Sequence, residues 1–174
     1  IRAEDLQQTT GGPLSRYRFR HILFQKYLYG SMDAVERAHL HAGIGAALGD
    51  LYADESGIPK PMIPQLAWHA EQAGRVGEAI DRYRQAGHWA LQVSANEEAA
   101  QHFRRALALI DQLPEGSHRM KRELELQLDL AVPLIGMQSW GAPEVANAYR
   151  RALALSKALD DASQYLRALD GMRS

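Results

Sequence analysis

"FRRALALI", residues 103–110, returns as "YRRALALS", residues 149–156. The copies stand 46 positions apart (149 against 103), and the reason for the echo decides the fold. A shorter form appears earlier. Ala79-x3-Tyr83-x2-Ala86 matches Ala99-x3-Phe103-x2-Ala106, and more loosely Val145-x3-Tyr149-x2-Ala152. Small residues flanking one aromatic ring let two helices cross closely while the ring fills the hole between them. Self-similarity on this scale predicts stacked helical hairpins.

Outward from the echo, residues 62–173 read as consecutive helices. The periodicity predicts them at 62–73, 76–93, 96–112, 117–132, 142–160 and 162–173. Gly74, Ser94 with Asn96, Pro114 with Gly116, the stretch from Gly136 to Pro143, and Asp160 with Asp161 mark the breaks. "ELELQLDL" (123–130) alternates as a strand would. It holds no β-branched or aromatic residue, and Glu, Leu and Gln favour helix. In a helix, Leu124, Leu128 and Ala131 form one row and Leu126 and Leu130 another. Apolar residues on two sides suit a helix with a neighbour before it and after it.

The N-terminal part reads differently. Residues 1–15 are polar, and Gly11, Gly12 and Pro13 predict a loop. "RYRFRH" (16–21) then alternates, with Tyr17, Phe19 and His21 on one side and Arg16, Arg18 and Arg20 on the other. That is the pattern of a short strand. "ILFQKYLYGSM" follows at helical spacing, with Leu23, Tyr27 and Leu28 on one face and Gly30 as its stop. Asp33 and Glu36 start the next helix, which runs to about Tyr52 with Leu40, Ile44, Ala47, Leu48 and Leu51 on one side. Gly43, Gly45 and Gly49 weaken that helix or let a neighbour approach. Residues 54–61 ("DESGIPKP") read as a linker.

Composition narrows the classes. The chain has 174 residues, 46% hydrophobic and 24% charged, which is enough to bury a core. Twenty basic residues against twenty-one acidic ones give a net charge of -1, so no global attraction to nucleic acid or anionic membrane is expected. There is no cysteine, which removes disulfides, thiolate metal sites and cysteine nucleophiles and fits a cytoplasmic location. No apolar run approaches the roughly 20 residues of a membrane helix. Ile1 and the terminal "LDGMRS" read as cut points in a longer protein.

Catalytic signatures are missing. The phosphate-binding G-x-x-x-x-G-K-[ST] loop, H-E-x-x-H and G-x-S-x-G do not occur. The seven histidines are scattered: His39 and His41 point to different helix faces, and Glu98 with His102 offers only two ligands. No enzyme activity, metal or cofactor is expected of this segment itself. Trp68, Trp89 and Trp140 read as packing residues, and Asp160 with Asp161 as a loop. Arg104, Arg105, Arg150 and Arg151 admit two readings: a solvated pair beside each core stripe, or a ligand-facing row on a concave surface.

Two resemblances cover most of the chain. Leu66, Ala67 and Ala70, then Ala79, Tyr83 and Ala86, stand where a tetratricopeptide repeat places its first-helix and second-helix packing residues. Ala70 replaces the usual aromatic, no proline closes the repeat, and the later period exceeds 34. The resemblance implies an all-α, right-handed solenoid of helical hairpins with a concave face. "YRFRHILFQKYLYGSM", the following "AVERAHLHAGIGAAL", "PQLAWHAEQAG" (64–74) and "VSANEEAAQHFRRALAL" (93–109) resemble a junction in STAND-class signalling NTPases. These include LuxR-type regulators with a large ATP-binding region and ATPase modules associated with adenylate cyclases.

That second resemblance implies a domain order. Residues 1–30 would be the end of a winged-helix domain (loop, strand remnant, helix), 31–60 a linking helix and linker, and 61–174 tetratricopeptide-like repeats. It implies a non-catalytic sensing and scaffold segment of a signal-transducing ATPase or transcriptional regulator. Its partners would be a protein, a peptide or a small inducer, the other domains of the same chain, and a further copy through self-association, with neither nucleic acid nor membrane. ATP or ADP with Mg would belong to the parent protein. Within the class, a Met-His-Asp histidine contacts the ADP phosphate; His21 matches it, with Arg20 for the methionine and Ile22 for the aspartate. The residues alone favour His21 as a buried strand histidine bonded to backbone. A free-standing tetratricopeptide-like adaptor holding a peptide in its groove is the alternative, and a winged helix placing Arg16, Arg18 and Arg20 on DNA phosphates is another.

Overall fold

A computed structural model of the chain describes residues 2–9, 12–18, 22–53, 57–138 and 142–173. From Ile22 onward its regular elements are helices, and by contacts the chain divides into two compact units, Ile1–Arg75 and Val76–Ser174. The division follows Arg75, beyond the linker anticipated at 54–61.

In the first unit, strand β1 (Arg2–Thr9) pairs antiparallel with β2 (Gly12–Arg18), from Arg2 opposite Arg18 to Thr9 opposite Gly12. This corrects the loop expected over 1–15. Two polar segments satisfy each other's backbone groups as a ribbon. The strand anticipated over 16–21 is traced to Arg18; Phe19, Arg20 and His21 lie outside the described residues.

Helix α1 (Ile22–Ser31) runs one residue past Gly30, and the Ser31 hydroxyl donates to the Leu28 carbonyl at 2.8 Å. Helix α2 (Ala34–Tyr52) opens with a reciprocal cap. The Glu36 N–H donates to Asp33 Oδ1 and the Asp33 N–H to Glu36 Oε2, both at 2.8 Å. Helix α3 (Ile63–Gln72) packs on α2. The face they share is not the leucine stripe expected of α2. Leu40 is 38% exposed, and His41 is the helix's buried residue. Gly45 stands one turn beyond His41. A Cβ there would meet His69 Cβ at 3.5 Å, an ordinary contact, so the His41–Gly45 side of α2 lies against α3, while Leu40 and Ile44 of the expected stripe line the space between the helices.

The second unit holds α4 (Val76–Gln92), α5 (Asn96–Leu109), α6 (Ser117–Met137), α7 (Pro143–Ala158) and α8 (Ala162–Arg173). Each packs chiefly on the next in chain order. The repeated residues form its core. Ala79, Ala86, Ala99, Phe103, Ala106 and Ala152 are fully buried, Tyr83 and Tyr149 nearly so. In the first unit Leu66, Ala67 and Ala70 are buried in α3. Phe103 lies over Gly87 of α4, and Tyr149 over Gly171 of α8. In these two copies the aromatic ring takes a neighbouring helix's glycine as its seat.

Helix α6 settles the alternating stretch as helix, with Leu124, Leu126, Leu128, Leu130 and Ala131 all buried. It packs on α5 on one side and α7 on the other. It continues five residues past the predicted end at 132, through Pro133, to Met137. Proline there forfeits one backbone bond, from residue 133 to the Asp129 carbonyl. Burial of Pro133 and Leu134 offsets that loss.

Three of the predicted breaks share one geometry. At the end of α3 the Arg75 N–H donates to the Ala70 carbonyl and the Gly74 N–H to Glu71, with Gly74 at φ +72°. At the end of α4, Ala95 bonds Ala90 and Ser94 bonds Leu91, with Ser94 at φ 59°. At the end of α7, Asp161 bonds Ser156 and Asp160 bonds Lys157, with Asp160 at φ 54°. Each is a Schellman turn, in which one left-handed residue satisfies the last helical carbonyls. Asp161 then caps α8 through its Oδ1, which accepts from the Gln164 N–H at 3.1 Å.

Candidate functional site

The first unit holds a half-open pocket of about 460 Å³ between α1, α2 and α3. Its walls are Leu28, Met32, Leu40, Ile44 and Trp68, with Gln25, Tyr29, His41 and His69 as the polar members. That volume lies within the range of small-molecule sites, and apolar walls with a few polar groups are their usual chemistry. Each helix contributes for a local reason. Helix α1 carries Leu28, Tyr29 and, past its end, Met32; α2 brings Leu40, His41 and Ile44 at spacings of one, three and four; α3 supplies the neighbours Trp68 and His69.

A hydrogen-bonded chain crosses the three helices. Tyr29 Oη lies 2.9 Å from His41 Nε2, and His41 Nδ1 lies 2.9 Å from His69 Nδ1. Trp68 meets both imidazoles edge-on, with ring centroids 4.8 Å from His41 and 4.9 Å from His69. Both histidines are buried, at 3% and 5% exposure. The Nδ1 pair needs one donor and one acceptor. When Tyr29 donates to His41 Nε2, His41 donates from Nδ1 to His69, and His69 carries its own proton on Nε2. Reversing every bond gives the other neutral arrangement. Burial holds both imidazoles below their ordinary 6.5, and a charge on His41 would depress His69 further.

The outer surface of α1 is apolar and open. Leu23 and Tyr27, expected on one face with Leu28, are each 74% exposed, and Leu28 is 47% exposed. Arg37 caps the neighbourhood, donating from Nη1 to the Met32 carbonyl at 2.9 Å and standing 5.8 Å over the Tyr29 ring.

The arginines singled out by the repeat lie in the second unit and are spread over several contacts. Arg104 makes a two-pronged pair with Glu144, Nε to Oε1 and Nη2 to Oε2 at 2.9 Å each. Arg151 grips Glu123 in the same way, at 2.5 and 2.8 Å. Arg150 donates to Asn147 Oδ1 at 2.5 Å, and Arg105 is exposed. Arg104 therefore ties α5 to α7, and Arg151 ties α7 to α6. Arg84 of α4 similarly reaches Asp129 of α6, at 2.6 Å, and Glu125, while His88 lies 3.1 Å from Asp129. His21 and Arg20 lie outside the described residues. Among the described residues no three His, Cys, Asp or Glu side chains gather as a metal-ligand set, and no helix is long and apolar enough to cross a membrane.

His41 and His69 are the pair that sequence spacing does not bring together, being 28 residues apart. One signal was present: His69 falls inside the buried stripe of Leu66, Ala67 and Ala70, a place where a polar side chain needs a buried partner.

No protein-family profile and no solved structure matches the chain. It is similar to an uncharacterized protein of Rhizobium meliloti (strain 1021), 29% identical over 141 residues. The match covers 81% of this chain and 13% of that protein's length.

Proposed function

We propose that the chain is a non-catalytic ligand- or partner-sensing and scaffold segment of a multidomain signalling ATPase or transcriptional regulator of the STAND class. The observation that carries this reading is the recurrence of one core motif in helices that pack in chain order, the organisation of repeat domains that bind partners. The similarity to 13% of a much longer protein is what a segment of a multidomain chain would give. On this reading the helices form tetratricopeptide-like hairpins of a right-handed solenoid, and the β1–β2 ribbon is the tail of a winged-helix domain. His21 then faces the nucleotide of a neighbouring domain. A partner that binds the segment better in one nucleotide state shifts the protein toward that state.

Two measurements test it. Calorimetry on residues 1–174 should detect no ATP binding; micromolar affinity would contradict the assignment. In the parent protein, deletion of residues 61–174 should leave nucleotide exchange insensitive to activating ligand. A parent sequence without a phosphate-binding loop would instead make the chain part of an adaptor.

A further inference from the structure

We infer that the cavity between α1, α2 and α3 is a binding site for an uncharged, largely apolar small molecule bearing one hydroxyl or carbonyl group. The inference extends the sensing reading by naming the class of inducer.

The polarity of the lining selects the class. Five apolar side chains form the walls, and no Lys, Arg, Asp or Glu is among the lining residues. An ion settling against these walls gives up part of its water, and no charged side chain in the lining replaces it. A neutral ring system loses little and gains contact with Ile44, Leu40, Met32 and the face of Trp68.

The histidine chain selects the polar group. Both nitrogens of His41 are engaged, Nε2 by Tyr29 and Nδ1 by His69. His69 uses Nδ1 on His41, and none of the described hydrogen bonds uses its Nε2. In one direction of the chain that nitrogen is a donor; in the other it is a bare acceptor. On this proposal His69 Nε2 meets a carbonyl as donor, or a hydroxyl in either role, by reversing two internal bonds and without taking up a net charge. Two histidines buried to 3% and 5% exposure in an apolar wall hold that adaptable group in place.

The test uses the whole chain, with 2-naphthol as the neutral probe and 2-naphthalenesulfonate as its charged counterpart. Histidine-labelled protein is titrated while the ring signals of His41 and His69 are followed. 2-Naphthol should shift both in a saturable way, and the sulfonate should bind at least about tenfold more weakly, or about 1.4 kcal/mol. Ile44→Trp, which fills the cavity, should abolish saturation. Leu28→Trp serves the same purpose should Ile44→Trp lose its helicity, because Leu28 is half exposed already. His69→Phe, which keeps the volume and removes Nε2, should weaken 2-naphthol about tenfold while leaving naphthalene unchanged. Equal binding of the sulfonate, or saturation that survives both tryptophan variants, would overturn the site. Binding that follows the expected pattern without altering the parent's nucleotide state would keep the site and remove the sensing role.

Discussion

Gly87 and Phe103 are in contact so close that a methyl group on residue 87 would sit 2.5 Å from the ring's Cε1. The ring is fully buried. Gly87→Ala should therefore destabilise the second unit, by about 1–2 kcal/mol once the better helix propensity of alanine is set against the overpacking. Gly43→Ala is the control. Nothing lies within 4 Å of its Cβ position, so it should stabilise by about 0.5–1 kcal/mol. Urea unfolding of both variants checks the opposite signs; a stabilised Gly87→Ala would mean the ring is not held against α4.

Ser94 ends α4 in the left-handed conformation that Gly74 adopts at the end of α3. Serine pays a steric cost there that glycine does not. Ser94→Gly should raise stability by about 0.5–1 kcal/mol, shifting the melting temperature by about 2–4 °C. Gly74→Ala should lower it by a similar amount. Thermal melts followed by circular dichroism decide; a fall for Ser94→Gly would show that the turn does not form as described.

His41 and His69 are both held below the ordinary histidine value of 6.5 by burial. The unfolded chain takes up protons near 6.5 before the folded chain does, so stability should fall as pH drops from about 7 toward 5. Above that window both states are neutral at these sites and the contribution is flat. His102, also depressed by burial, adds to the same slope. Replacing His41 and His69 together by glutamine should make the pH dependence between 7 and 5 shallower. An unchanged slope would place the titration elsewhere.

Arg104 holds the Glu144 carboxyl below its usual range, first through its hydrogen bonds and then through its charge. Both side chains are more than a third exposed, so solvent screens most of that effect. A double-mutant cycle with Arg104→Ala and Glu144→Ala should return a coupling of about 0.5–1 kcal/mol that shrinks in high salt. The contribution should disappear as pH falls through the carboxylate range. A coupling of several kcal/mol would contradict so exposed a pair.

Helix boundaries were legible because the sequence states them twice, once as periodicity and once as punctuation. Gly74, Ser94 and the Asp160–Asp161 pair mark turns that the backbone bonds then define. The alternation in 123–130 misled only on period; its residue types pointed to helix. The cavity was hidden for a different reason. His41 meets His69 beside Gly45, a contact between helices that no local pattern encodes. The expected stripe supplies Leu40 and Ile44 to the wall but gives no sign of His41. Likewise "RRALAL" shows that arginines flank the core, but their partners, Glu144 and Glu123, lie tens of residues away.

The chain-order packing of α4 through α8 also governs how the second unit gains and loses structure. Contacts between sequence neighbours close short loops, so folding can begin at any adjacent pair and spread, with a low barrier. Loss runs the other way, from the ends. Helix α8 rests chiefly on α7 and should exchange its amide hydrogens fastest, while α6, gripped on both sides, should protect them longest. A partner laid across several helices would couple these steps, making one cooperative transition out of a graded one.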